Sequence, residues 1–196
     1  MLILASRSAA RNALLAGAGL RFESRPPQID ERQQSANAAA AGLDAAATAR
    51  TLAEAKARAV AAEHPGRIVL GADQILECDG RLLHKVADMA GARQQLRELR
   101  GRTHYLHSGI ALAQHDRILW SATETAALRM RDFSEEELAA TLALEGEAVL
   151  ASVGCYRLEG PSIRLFEHIE GDYFTILGLP MLPLLTALRR YAPDLL

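Results

Sequence analysis

The sequence predicts a mixed α/β fold, a sheet with helices packed outside it, and three observations carry that prediction. Apolar strands alternate with helix-forming stretches through the N-terminal part of the chain. Two long extended runs, Thr103 to Ala113 and Arg117 to Met130, meet as a hairpin around Gln114-His115-Asp116. Helix signals at 88–99 and from Ser134 onward flank that pair in the sequence. Alternation alone suggests a parallel sheet; the hairpin makes it mixed.

Met1 to Ala5 is a bare apolar strand that runs directly into Ser6-Arg7-Ser8-Ala9-Ala10-Arg11 and a helix over Ala9 to Ala18, closed by Gly17-Ala18-Gly19. Leu20 to Ser24 is a short extended piece ending at Pro26-Pro27. Gln28 to Gly42, polar, alanine-rich and almost without periodicity, reads as a surface loop holding Ile29-Asp30-Glu31. Strong helix formers from Leu52 to Val60 make a helix that begins at Asp44 or Thr48, contains Lys56 and is stopped by His64-Pro65-Gly66. Arg67 to Gly71 is a short apolar run bounded by turn residues, the pattern of a buried central strand, with Asp73 just beyond its end. Asp79-Gly80, between Ile75-Leu76 and Leu82-Leu83, signals a two-residue hairpin that presents Lys85 on its far arm. Asp88 to Leu99 is a helix with Gly101 past its end, and Ser134 with Glu137 forms a capping box for a helix reaching about Leu144. Short strands are expected between Gly146, Gly154, Gly160, Gly171 and Gly178, and a last helix spans Met181 to Tyr191.

At 196 residues the chain fits one domain, 1–196, or two small lobes sharing a sheet, and it can bury a core without disulfides or metal staples. A net charge of −2 argues against a broad nucleic-acid face, while a small anionic ligand would need only a local positive pocket. Cys78 and Cys155 have no metal-site spacing and are too few for a secreted disulfide framework, so a reducing cytoplasm is expected. The apolar start is too short for a signal-peptide core or a membrane span, so no membrane association is expected. No G-x-G-x-x-G follows a strand with an acidic residue at the required distance, which excludes a dinucleotide fingerprint.

Hydroxyls and guanidiniums cluster where the first helix begins, and a helix N-terminus with its unpaired N–H groups attracts anions. Ser6 or Ser8 reads equally as an N-cap, and the arginines as solvated charge. Asp73 follows a strand and Gly71, where a small residue lets a ligand approach; the plainer reading is a turn cap or the partner of a lysine. Glu31, beside Asp30, is a second acidic point, and taken alone the pair reads as a solvated loop. Magnesium commonly uses one or two protein carboxylates and completes its shell with waters and phosphates, so Asp73 with Glu31 would suffice. Lys56 and Lys85 suit phosphate as compact point charges, although each alone reads as a surface lysine. His104 and His107, three apart on a strand, point to opposite faces, which excludes a zinc site there. Combined, these parts suit phosphoanhydride chemistry, in which a metal neutralises phosphates and a carboxylate orients or deprotonates water.

At these residues the chain resembles the Maf-like (septum formation inhibitor) family of nucleoside triphosphate pyrophosphatases, nearly end to end. The likeness is carried by Ser6 to Arg11, Asp30-Glu31, Leu52 to Ala57, Gly71-Ala72-Asp73, His84-Lys85-Val86, Gly101 to His104 with Ser108-Gly109, Gly171-Asp172-Tyr173 and Gly178-Leu179-Pro180. The resemblance implies a Maf/ITPase-like fold, an elongated mixed sheet in two lobes with a central cleft, commonly dimeric. It also implies hydrolysis of a nucleoside triphosphate to monophosphate and pyrophosphate with a divalent cation, magnesium or manganese. Asp73 would be the general base and a metal contact, Glu31 its metal-site partner, and Ser8, Arg11, Lys56 and Lys85 the triphosphate clamp. Glu159, where the thymidine- and uridine-triphosphate branch carries Gln, and Gln74 after the aspartate resemble the branch that prefers 7-methyl-GTP. Ala9, Ala10, Val86 and Ala151-Ser152-Val153-Gly154 depart from the family pattern and point to a reshaped clamp. The alternative is a non-catalytic nucleotide-binding regulator of septum formation or cell division.

Overall fold

The computed structural model describes residues 1–196. The chain forms β1 (Leu2–Ala5), α1 (Ala9–Gly17), β2 (Phe22–Ser24), α2 (Glu31–Ala40), α3 (Ala45–Glu63), β3 (Val69–Cys78) and β4 (Arg81–Leu83). It continues with α4 (Met89–Leu99), β5 (Thr103–Gln114), β6 (Arg117–Met130), α5 (Glu135–Glu145), β7 (Phe166–Glu170), α6 (Tyr173–Ile176) and α7 (Met181–Tyr191). Strand order is β2-β1-β3-β5-β6-β7, with β4 on β3. The sheet is mixed as expected: β1 is parallel to β2 and β3, whereas β3–β4 and β6–β7 are antiparallel. No helix is long and apolar enough to cross a membrane.

Two compact units emerge from the contacts, one of Met1–Gln74, His107–Glu124 and Asp172–Leu196, the other of Ile75–Leu106 and Thr125–Gly171. In the first unit each sheet face has its own core. Leu2, Leu4, Leu70, Ile110 and Leu112 pack with Leu15 of α1 and Leu184 and Leu188 of α7. Ile3, Ala5, Val69, Ala111 and Ala113 pack with Ala53, Ala57, Val60 and Ala61 of α3. The assignment of alternate residues to opposite cores follows from the period-2 pleat. The second unit buries Leu96, Leu99, Leu106, Leu128, Phe133, Leu138 and Leu165.

Four expectations are corrected. The segment 28–42 is not a loop: Asp30 caps α2 by accepting from the Gln33 amide, and alanine propensity carries the helix without an apolar stripe. The central strand does not stop at Gly71 but runs to Cys78, because β4 pairs back on it from Leu76, so Asp73 lies within β3 rather than past it. The Asp79-Gly80 hairpin forms, with both residues at positive φ, yet β4 ends at Leu83 and Lys85 lies beyond the arm. Between the glycines of the second half there is one strand, β7; the rest is tight turns of 3-10 helix over Gly146–Ala151 and Pro161–Leu165, and the short α6. The capping box of α5 and the span of α7 are as expected.

Candidate active site

The geometry of the first unit starts from small residues. Ala45, Ala49, Ala53, Ala57 and Ala61 recur every four positions along α3, and all are buried. This stripe lets the helix backbone close onto the sheet at two glycines. A Cβ on Gly71 would overlap the Ala53 carbonyl oxygen and lie 2.7 Å from the Ala57 amide; one on Gly109 would overlap the Ala49 carbonyl. The small residue before Asp73 therefore admits a helix, where the sequence suggested room for a ligand.

Residues two apart on a strand share a face, so Asp73 projects to the α3 side together with Gly71. Lys56, one position before Ala57, sends its Nζ to within 2.6 Å of Asp73 Oδ1. The same ammonium lies 3.0 Å from Oε2 of Glu31, the first residue of α2. Lys56 and Asp73 are buried, whereas Glu31 is exposed. Burial pushes the Asp73 carboxyl above its ordinary value, against the opposing pull of Lys56 and Arg11.

Arg11 is buried, and two of its three guanidinium nitrogens are directed at the protein. Nε donates to the Gly178 carbonyl at 2.8 Å, and Nη1 to the Ala72 carbonyl at 2.8 Å and Ser6 Oγ at 3.2 Å. Burial lowers the guanidinium's proton affinity, while Asp73 and Glu31 act to restore it. Ser8 is the N-cap of α1, accepting from the Arg11 amide at 3.4 Å, so the plainer of its two sequence readings holds for its lone pair. Gln74 Nε2 donates to Ser108 Oγ and to the carbonyls of Thr175 and Ile176 at 3.0–3.1 Å, which ties β3 to the turn around α6.

A divalent cation fits this donor set. Lys56 takes one oxygen of each carboxylate, and each has a second oxygen to offer. No three His, Cys, Asp or Glu side chains gather anywhere to hold an ion by themselves. The residues thus suit an ion shared with waters and substrate phosphates rather than an all-protein cage.

The second unit holds Lys85, exposed between β4 and α4, and Glu159, exposed between Arg157 and the turn at Pro161–Leu165. Sequence reasoning missed one buried polar group here and the partner of another. Glu145 ends α5 with no exposed side-chain surface and accepts from Ser162 N, Ser162 Oγ and Arg157 Nε at 2.7–2.8 Å. Burial opposes its ionisation, but the Ser162 and Arg157 bonds outweigh that and hold its carboxyl below the ordinary range. A signal was present: Leu138, Thr141, Leu142 and Glu145 form one buried helical stripe, and a glutamate on such a stripe requires partners. The other group is His104, whose Nε2 lies 2.8 Å from the Tyr156 hydroxyl, with Phe166 edge-on to Tyr156.

A mixed α/β fold with a buried lysine–carboxylate cluster beside its first helix is the class of protein these features define. The chain belongs to the Maf-like protein family, whose model matches residues 1–191. It is 48% identical over 190 residues to the nucleoside triphosphate pyrophosphatase of Granulibacter bethesdensis, covering 97% of this chain and 96% of that protein. The protein of the same name from Nitrobacter winogradskyi is 52% identical, over 96% of this chain and 92% of its own length. The 7-methyl-GTP pyrophosphatase of Rhizobium meliloti is 49% identical, over 96% of this chain and 95% of its own length.

Proposed function

We propose that this chain is a nucleotide pyrophosphatase that hydrolyses a nucleoside triphosphate to the monophosphate and pyrophosphate in the cytoplasm, acting as a homodimer. The observation that carries this reading is the Lys56 ammonium held between Asp73 and Glu31, a cation and two carboxylates beside the first helix. The family and the names of its relatives supply the reaction class.

Asp73 is the general base in this reading, because a carboxyl raised by burial is better matched to taking a proton from water near neutral pH. Lys56 holds Oδ1, which leaves Oδ2 to face the water. Asp73 and Glu31 would hold magnesium or manganese, which when bound supplies neutralisation of phosphate charge. Ser8, through its hydroxyl proton, and Lys56 bind triphosphate from the first unit. Arg11 adds positive charge there while bracing the carbonyls of Ala72 and Gly178. Lys85 serves phosphate and Glu159 the base. N7 methylation makes guanine cationic, and a carboxylate favours that cation, so 7-methyl-GTP is the preferred substrate in this reading.

Incubating the protein with magnesium or manganese and a nucleotide panel tests it: pyrophosphate should appear, most rapidly from 7-methyl-GTP. Asp73→Asn should abolish turnover while largely sparing the fold, because Glu31 still holds the Lys56 ammonium. Orthophosphate as the product would replace this reading with a phosphatase, and no product from any nucleotide would replace it with the non-catalytic regulator.

A further inference from the structure

The exposed Glu159 sits in a segment whose two ends are tied to one buried group. Arg157, two residues before it, donates Nε to Glu145 Oε2 at 2.8 Å. Ser162, three residues after it, donates both its amide and its hydroxyl to Glu145 Oε1 at 2.8 and 2.7 Å. Gly160 is packed against the same carboxylate: a Cβ there would lie 2.6 Å from Glu145 Oε1 and 3.1 Å from Arg157 Nη2. Glu145 itself cannot swing away, because it ends α5 on the buried stripe of Leu138 and Leu142 and its side chain has no exposed surface.

We propose that Glu145 is a positioning residue for base selection: it clamps Arg157 and Ser162 so that Glu159 is presented in one place. The inference rests on the reading that Glu159 contacts the base. A carboxylate favours a cationic over a neutral purine more strongly the closer it is held to the ring, since charge–charge energy varies inversely with separation, and a fixed position keeps it close. A buried, doubly anchored clamp supplies that fixity where an exposed turn would not. Glu145 makes no contact with the reacting phosphates in this account, so its loss should change which nucleotide is chosen more than how fast a saturated enzyme turns over.

The test compares kcat and KM for 7-methyl-GTP and GTP in the full chain, using Glu145→Ala, Ser162→Ala and Glu159→Ala, with circular dichroism to verify folding. Positioning predicts that Glu145→Ala loses about tenfold of the kcat/KM preference for 7-methyl-GTP, mainly through KM, and that Glu145→Gln recovers part of it. Adding Glu145→Ala to Glu159→Ala should cause no further loss of preference. Should Glu145→Ala fail to fold, Ser162→Ala, which removes one bond and keeps the amide donor, decides the matter by a smaller loss in the same direction. An unchanged preference in the Glu145 and Ser162 variants alongside a lost preference in Glu159→Ala overturns the proposal and leaves the base-contact reading standing. An unchanged preference in Glu159→Ala overturns both. A kcat lowered equally for both nucleotides marks Glu145 as structural only, which also overturns the proposal.

Discussion

Lys56 Nζ and Asp73 Oδ1 are 2.6 Å apart, and Gly71 is what allows it. The glycine lets α3 approach β3 closely enough for a lysine on the helix to reach a carboxylate two residues along the strand. Both side chains are buried, so water competes little for the bond between them.

Gly71→Ala should therefore damage site and fold together. The added methyl meets the Ala53 carbonyl and the Ala57 amide, which are backbone and cannot rotate aside. Urea denaturation should show a loss of about 3 kcal/mol, and turnover should fall because Lys56 is carried away with the helix.

Lys56→Met should cost about 3–5 kcal/mol in the same measurement, since it leaves the Asp73 carboxylate buried without its ammonium. The double variant with Asp73→Asn should recover part of that loss. Full additivity of the two single effects would show that the pair is not coupled.

Arg11→Lys should behave nearly as badly as Arg11→Ala. One ammonium on a different stem cannot satisfy the Gly178 carbonyl, the Ala72 carbonyl and Ser6 Oγ together. Thermal and urea unfolding should register about 2 kcal/mol for the lysine variant; a loss confined to the alanine variant would make charge, not geometry, the important property.

His104 should make the protein acid-sensitive in a defined window. Burial lowers its pKa from the ordinary 6.5 to about 4, so between those values the unfolded chain binds a proton that the folded chain does not. Stability consequently rises with pH through the window, and acid removes up to about 3 kcal/mol as pH falls from 6.5 to about 4. In His104→Phe this part of the pH dependence should vanish, at the expense of leaving the Tyr156 hydroxyl without its partner.

Much of this was legible in the chain. Local chemistry announced the Asp-Gly hairpin, the α5 capping box and the bounds of α7, because turn geometry and helix caps depend on residues a few positions apart. Asp73, Lys56 and Glu31 are separately visible as candidates in the sequence, and the resemblance to the Maf-like family groups them. The alanines at every fourth position of α3 were also in plain view, but their purpose depends on a strand that begins after the helix ends.

What the sequence determined by itself was most of the helices, the Asp79-Gly80 turn, the cap of α5 and the inventory of charged groups, all governed by short-range backbone and side-chain chemistry. Only the tertiary structure decided where those charges go. It placed Lys56 between Asp73 and Glu31, directed Arg11 at two backbone carbonyls, and buried Glu145 beneath the turn that carries Glu159. The physical reason is desolvation. A charge withdrawn from water must find its partners wherever packing brings them, and packing is a property of residues distant in the chain.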